Sequence, residues 1–224
     1  MSVTAEEMAE RALTYKVLGR FYLDAFTQEE LDELEPEVFN ELAQNSETEL
    51  ARKGYDHIFR SLRHKNTATC QELRADFTQT FLGAHEYLGM AAIPHESQYL
   101  AYEGEGLAQV RIGVARVYRE NNMSFEPEID LPADHLAYEM EFMAVTSKHI
   151  AINIEDGDME SALHGLDVQA SFLDEHIMLW FGRFYSLANN ICSTRFYKGV
   201  LDVTASFLEE DRKFIDDMKV ELEN

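Results

Sequence analysis

Residues 126–150 read EPEIDLPADHLAYEMEFMAVTSKHI, and the interpretation of the whole chain starts from this stretch. Its first third is rich in proline and acidic residues, which predicts a loop. After it, Leu136, Met140, Met143 and Ala144 recur at the three-to-four spacing of a buried helical stripe. The stretch therefore predicts an acidic loop that runs into a buried helix, with an Asp-His pair where the two meet.

Asp134 and His135 form that pair. Asp134 is placed to act as the N-cap of the helix, where its carboxylate accepts from backbone N–H groups near the positive end of the helix dipole. An alternative starts from helical geometry, because Asp134, Tyr138 and Glu141 share one face, and His135 and Glu139 share the next. Neither face is apolar, so we expect both faces to meet solvent or a partner. An acidic loop leading into acidic helix faces suits a cationic ligand.

Four helix starts are predicted along the chain, because at four places Ser or Thr precedes Glu by three residues, which is typical of the capping box. These pairs are Thr4/Glu7, Thr27/Glu30, Ser46/Glu49 and Thr69/Glu72. Residues 83–106 hold four glycines and a proline and predict a long, functional loop. No stretch alternates like a strand, so we predict an all-α fold, a single-domain orthogonal helical bundle of about ten helices over residues 1–224. A loop or hinge is expected near residues 121–133, between the N- and C-terminal helical halves.

Composition limits the partners and the compartment. The chain has 224 residues, a hydrophobic fraction of 46% and a formal net charge of −23. Such a charge repels nucleic acid and anionic membrane surfaces and attracts basic partners. No window reaches the ~18 uninterrupted apolar residues of a membrane span, and the N-terminus reads as an amphipathic helix rather than an export signal. Cys70 and Cys192 form no disulfide framework, so we expect a reduced, cytoplasmic protein.

Enzyme and metal signatures are missing from the sequence. The eight histidines never pair at the HExxH spacing, and no GxxxxGK(S/T) loop occurs. Adjacent helical residues point about 100° apart, so Asp134 and His135 form no acid–base pair by themselves. We predict no catalytic residue, no metal site and no cofactor. A small hydrolase with Ser97 as the nucleophile beside His135 stays open as an alternative.

Methionine and aromatic residues have two interpretations. Four methionines bracket the irregular segments, and such side chains adapt to varied apolar ligands: Met90, Met123, Met140 and Met143. Ordinary filling of the core is the competing interpretation. Four aromatic residues lie at helical spacing and are predicted to be core: Phe172, Trp180, Phe184 and Phe207.

Several segments occur together in an order that is typical of one known family. They are ADFTQTFLG (75–83), PHESQYL (94–100), VYRENNMSF (117–125), LPADHLAYEMEFM (131–143) and the aromatic C-terminal segment 172–211. No single motif is decisive, but their order resembles the TorD/DmsD family of cytosolic redox-enzyme maturation chaperones. This family also includes the delta-type assembly chaperones of nitrate reductase.

The resemblance implies an all-helical chaperone without a metal or organic cofactor of its own. It implies binding to the twin-arginine signal peptide, or the apo form, of a molybdenum-containing oxidoreductase precursor, held until cofactor insertion and export. Molybdenum-cofactor delivery machinery and guanine nucleotide are further partners reported for the family, although this chain has no nucleotide loop. The sequence leaves open a monomer or a domain-swapped dimer.

The resemblance also assigns positions in this chain. The family's Asp-His pair corresponds to Asp134 and His135, with Pro132 before them. The family's Glu-Ser-aromatic loop corresponds to Glu96, Ser97 and Tyr99. Leu131 stands where many members carry Glu, which removes one negative charge from the loop. Asp130 is placed to compensate for that charge.

A twin-arginine signal peptide has paired arginines followed by an apolar helical segment, so its receptor needs carboxylates beside an adaptable apolar groove. The predicted carboxylates are Asp130, Asp134 and Glu139, and the predicted groove residues are Phe77, Phe81, Met90, Tyr99 and Met140. Exposed ion pairs contribute only about 0.2 to 1 kcal/mol each, so the apolar segment should supply most of the affinity. The competing hypothesis is an assembly subunit that binds the folded oxidoreductase and ignores its signal peptide.

Overall fold

The computed structural model describes residues 5–100, 106–123 and 131–223. These residues form eleven α-helices, numbered in chain order, and one π-helical segment, and no strand occurs among them. The helices are α1 Ala5–Leu23, α2 Gln28–Glu33, α3 Pro36–Asn45, α4 Glu49–Leu62, α5 Thr67–Phe81, α6 Glu96–Leu100, α7 Leu107–Glu120, α8 Leu136–Glu155, α9 Met159–Phe172, α10 Met178–Ile191 and α11 Arg195–Leu222. The π-helical segment Leu173–Ile177 lies between α9 and α10. The predicted all-α fold is confirmed.

The chain divides into two compact units, and each unit combines segments that are distant in sequence. Unit 1 takes the described residues of Met1–Leu23, His95–Phe181 and Glu210–Asn224, and unit 2 takes Asp24–Pro94 and Gly182–Glu209. The units therefore do not correspond to N- and C-terminal halves. The predicted hinge near residues 121–133 falls partly on residues outside the described ranges and stays a prediction.

Unit 1 contains a buried polar network around Arg11 of α1. Its guanidinium forms a two-point ion pair with Asp211 of α11 and donates to the Ser147 hydroxyl at 2.8 Å and to the Gln169 side-chain oxygen. The Tyr15 hydroxyl donates to the same Asp211 carboxylate. All five side chains are buried. Because a buried charge is costly without a partner, this network fixes how α1, α8, α9 and α11 pack within the unit.

Helix α1 also packs closely against the start of α8 in unit 1. At Gly19, an added Cβ would lie 3.3 Å from the carbonyl oxygen of Ala137 and 3.3 Å from the Cβ of Met140. A glycine at this point lets the first turn of α8 approach α1. The close approach buries that first turn, which directly follows the Asp-His pair.

Unit 2 is organised by an aromatic core and a glycine contact between α4 and α11. Phe77 and Phe81 pack edge-on, with ring centroids 5.3 Å apart, and both rings contact Tyr197. A Cβ built on Gly54 would lie 2.8 Å from the Gly199 carbonyl oxygen, well inside ordinary contact distance. The two helices can therefore meet only while both positions lack a side chain.

The predicted Thr27/Glu30 capping box is confirmed at α2. The Thr27 hydroxyl accepts from the Glu30 backbone N–H at 3.2 Å, and the Glu30 carboxylate accepts from the Thr27 backbone N–H at 2.9 Å. Thr4, predicted to cap the first helix, lies outside the described residues.

Two other predicted caps are wrong by two or three residues. At α4 the N-cap is Thr48 rather than Ser46, whose hydroxyl instead donates to the Leu42 carbonyl of α3. At α5 the N-cap is Asn66, and Thr69 occupies the N3 position of that capping box rather than its start. In both cases a nearby residue with a short polar side chain supplies the cap in place of the predicted one.

The predicted core residues are mostly confirmed. Phe172, Trp180 and Phe184 are buried, whereas Phe207 is half-buried. Cys70 and Cys192 are buried and free. Within the described ranges, no helix combines the length and the apolar character that a bilayer crossing requires.

We predict that Gly54→Ala destabilises the protein, because the new methyl group would overlap the Gly199 backbone of α11. Overpacking of this kind costs about 1 to 3 kcal/mol, measurable as a lower urea midpoint. Gly182→Ala is the matched control, since nothing lies within 4 Å of its Cβ position in α10. This control should gain about 0.5 to 1 kcal/mol from helix propensity, and equal effects at both positions would contradict the packing account.

Candidate functional site

Asp134 precedes α8 in unit 1, contacts the first residues of α6 and is completely buried. Its carboxylate accepts from the Ser97 backbone N–H at 2.9 Å, and its carbonyl oxygen accepts from the Glu96 backbone N–H at 3.0 Å. The Arg111 Nε atom lies 3.3 Å from the other carboxylate oxygen. The prediction that Asp134 caps the following helix is therefore wrong, because its carboxylate caps α6 instead.

His135 is the N-cap of α8. Its Nδ1 atom accepts from the Ala137 backbone N–H at 3.1 Å, which requires a neutral ring with the proton on Nε2. The His95 ring lies 5.1 Å away, measured between ring centroids. Burial, and then the His95 charge, lower the pKa of His135 to about 3. The ring therefore serves as an uncharged cap at neutral pH.

We predict that His135→Asn reduces the acid sensitivity of the fold. Because the pKa of His135 falls from an unfolded 6.5 to about 3 when folded, the unfolded chain binds the extra proton and stability is lost as pH falls through 6.5. At pH 5 this loss amounts to about 2 kcal/mol. Asn keeps a good cap without titrating.

Urea unfolding at pH 7 and pH 5 measures this effect. The wild-type chain should lose more stability than His135→Asn over that interval. His149→Asn, at an exposed position of the same helix, is the control and should behave as wild type. An identical pH dependence for His135→Asn and wild type would contradict the cap assignment.

Glu96 and Glu139 complete a buried acidic cluster with Asp134. The Glu96 carboxylate accepts from Nδ1 of His176 at 3.0 Å. Glu139 is fully buried, and neither of its oxygens has a hydrogen bond of good geometry to the described residues, although Glu96 and the Trp180 indole lie close. Burial, and then the Glu96 and Asp134 carboxylates, raise the pKa of Glu139 well above its usual range.

We predict that Glu139→Gln stabilises the protein at neutral pH. A raised folded pKa means that the native state binds a proton which the unfolded state has released, so stability falls as pH rises above about 4.5. Gln keeps the shape and removes this dependence. Thermal unfolding between pH 5 and pH 8 should show a flatter profile for Glu139→Gln, and Glu155→Gln, exposed on the same helix, should not. A profile as steep as wild type would rule out Glu139 as the proton-binding group.

The prediction that the two acidic faces of α8 meet solvent or a partner is wrong. Asp134, His135, Tyr138 and Glu139 are all buried, and only Glu141 of that set is partly exposed. Tertiary packing buries them, because α1 packs against the first turn of α8 and the Asp134 carboxylate accepts a hydrogen bond from the first turn of α6. These faces are interior surfaces of unit 1.

The remaining predicted site residues divide between the units. In unit 1, Tyr99 stacks on Trp180 with ring centroids 5.3 Å apart, Met140 is buried and Pro132 is half-exposed. In unit 2, Phe77 and Phe81 are core residues and Met90 is half-exposed. Asp130 lies outside the described residues. Unit 1 thus brings together Glu96, Ser97, Tyr99, Asp134, His135 and Glu139, and their role in peptide binding stays a prediction.

The hydrolase alternative gains no support from this geometry. The Ser97 hydroxyl is buried and forms no hydrogen bond with a described residue, and the His135 Nδ1 atom already accepts from Ala137. Ser97 and His135 therefore form no nucleophile–base pair. Among the residues that the structure describes, no group of His, Cys, Asp and Glu is arranged to hold a metal ion.

Sequence reasoning missed His176 as a member of the cluster. It lies 80 positions after Glu96 and sits in the π-helical segment, whose widened turn no simple periodicity reveals. Tyr118 was missed for the same non-local reason, since its hydroxyl donates to the Ala133 carbonyl at 3.0 Å. Interruptions of an α-helix by a π turn often occur at functional sites.

A strained apolar turn follows α5 in unit 2. Tyr87 and Met90 exchange backbone hydrogen bonds of 2.9 and 3.1 Å around Leu88 and Gly89, whose φ angles are +53° and +78°. Positive φ suits glycine but strains leucine. The Leu88 side chain is 88% exposed, and Leu82 and Tyr87 are also exposed. The turn therefore presents apolar side chains to solvent.

Comparison with known proteins agrees with this fold. The family model described as "Nitrate reductase delta subunit" matches residues 23–186, well over half of the chain. A protein named "Chaperone protein TorD" from Vibrio atlanticus is 24% identical over 210 residues, covering 92% of this chain and 94% of that protein. A protein of the same name from Aliivibrio salmonicida is 27% identical over 213 residues, covering 92% of this chain and 94% of that protein. A third, from Aliivibrio fischeri, is 29% identical over 148 residues, or 64% of each chain.

These relatives are named for a chaperone role, which needs no catalysis and agrees with the prediction that the chain is not an enzyme. The family match spans parts of both units, including the Asp-His pair and the α6 segment. The family resemblance drawn from these motifs is therefore supported by the family model and by relatives that match 92% of this chain. The chain belongs to the TorD/DmsD family of redox-enzyme maturation chaperones, whose family model is described as the nitrate reductase delta subunit.

Proposed function

We propose that this chain is a cytosolic chaperone for the precursor of a molybdenum-containing oxidoreductase. It binds the precursor's twin-arginine signal peptide, or its apo form, and holds the precursor until cofactor insertion and export. Family membership supports this proposal. The net charge of −23 also supports it, because such a surface attracts a basic peptide.

The Leu82–Met90 turn is the observation that carries the peptide-binding proposal. Leu88 adopts a backbone conformation that costs about 1 to 2 kcal/mol for a residue with a Cβ, and its side chain recovers nothing by burial. Asn or Gly would fit this turn without that cost. Strain of this kind marks functional positions, and an exposed leucine beside Tyr87 offers an apolar contact for the peptide's apolar segment.

The buried cluster has a supporting role in this proposal. Asp134 and His135 cap α6 and α8, so they hold the loop around Pro132 in place rather than contacting the peptide directly. The Asp134 carboxylate has no exposed surface, and Arg111 already lies 3.3 Å from one of its oxygens, so an arginine of the peptide would have to displace Arg111 to pair with it. Of the predicted residues that the structure describes, the half-exposed Pro132 and Met90 are accessible for direct contact.

We predict that Leu88→Asn weakens binding of a synthetic twin-arginine signal peptide while leaving the protein as stable as wild type or more so. Asn tolerates positive φ, so the variant relieves strain as it removes the apolar side chain. Loss of one leucine contact of 1.5 to 3 kcal/mol corresponds to roughly a tenfold to hundredfold increase in Kd, measured by isothermal titration calorimetry.

Val38→Gln is the matched control, because it removes another exposed apolar side chain from unit 2. It should leave the peptide affinity unchanged. Failure of the wild-type chain to bind any signal peptide, together with tight binding to a mature oxidoreductase that lacks its leader, would replace this proposal with an assembly subunit. Normal affinity in Leu88→Asn would remove the turn from the binding site.

A further inference from the structure

We infer that a cavity in unit 1, between α7, α9 and the π-helical segment, is the subsite for an arginine side chain of the client's signal peptide. This inference rests on the proposed function. The cavity has a volume of about 320 Å³, which is at the small end for ligand pockets and suits a single long side chain. Its walls include Glu120, Asp167, Glu175 and His176.

The cavity combines carboxylates with open access, which the buried cluster lacks. Glu120, Asp167 and Glu175 are all exposed, one each from α7, α9 and the π-helical segment. Asp167 pairs with Lys219, and Glu120 lies 3.6 Å from Arg116. Among the described residues no cation pairs with Glu175, which leaves this carboxylate to receive an incoming one.

The floor of the cavity suits the methylene stem of an arginine. Val117 of α7 and Val168 of α9 line it together with the ring of Phe172. That ring is held rigidly, because it packs against Phe142 with centroids 4.4 Å apart. A long basic side chain lays its carbon stem on such apolar surface while its charged head meets carboxylates at the rim. An aromatic floor adds the stacking that guanidinium groups prefer.

The π-helical segment brings the acidic rim and the aromatic floor together. Its widened turn carries Glu175 and His176 directly after Phe172, and all three residues line the same cavity. His176 also donates to Glu96, so the cavity wall is tied to the cluster that holds α6 and α8. The cavity therefore belongs to the same unit as the family's Asp-His and Glu-Ser positions.

The buried acids are poorer candidates for this role. Asp134 and Glu139 have no exposed surface, and Glu139 already lies close to two other carboxyl groups. The Arg111 guanidinium already occupies the approach to Asp134, so a peptide guanidinium would have to displace this side chain. At the cavity, a guanidinium reaches carboxylates without any rearrangement, and an acidic rim near a charged peptide also raises the association rate.

The test is a pair of calorimetric titrations for each protein, one with a twin-arginine signal peptide and one with the same peptide carrying glutamine at both arginine positions. The cavity variant is Glu120→Gln with Glu175→Gln. The control variant, Glu155→Gln with Glu160→Gln, removes the same charge from exposed positions outside the cavity. Glu175→Lys serves as a second cavity variant with a stronger effect, and circular dichroism confirms that each variant folds.

We expect the cavity variant to bind the arginine peptide about threefold to tenfold more weakly than the control variant does. Both variants should bind the glutamine peptide equally, since only the arginine contact differs. Equal losses in the cavity and control variants, with wild-type binding intact, would overturn the cavity subsite alone. Absence of any peptide binding by the wild-type chain would overturn the proposed function and the subsite together.

Discussion

The buried ion pair between Arg11 and Asp211 is the constraint on which unit 1 depends. It joins the first helix of the unit to its last, and through Ser147 and Gln169 it also reaches α8 and α9. Breaking one partner of such a pair leaves an uncompensated charge in the interior, so the four helices hold one arrangement. The start of α8 and the α9 wall of the acid-lined cavity are built on helices that this network has already fixed.

Helices and their order could be predicted from the sequence, because apolar residues at three-to-four spacing report a buried stripe whatever they pack against. The N-cap positions of α4 and α5 were predictable only to within two or three residues. At α4, for example, the N-cap is Thr48 and not the predicted Ser46. Short polar side chains close to a helix start compete for the same N–H groups. Tertiary packing decides which of these side chains becomes the cap, and the local sequence pattern carries no information about that packing.

The candidate site was predictable in its members more than in its arrangement. Glu96, Ser97, Asp134 and His135 do meet in unit 1, but as a buried corner where one carboxylate caps a helix 37 positions away. Burial could not be read from residue type, because polar faces on a helix normally meet water. His176 and the cavity were unpredictable because they depend on a π turn and on contacts between distant segments.

The π-helical segment has one more consequence, which concerns phase. An α-helix advances about 100° per residue, so the extra residue of a π turn offsets every later side chain by that angle relative to an uninterrupted helix. Trp180 follows the segment by three positions, in the offset register, and stacks on Tyr99. The π turn thus separates two registers: Val168 and Phe172 of α9 line the cavity before it, and Trp180 of α10 contacts Tyr99 of α6 after it.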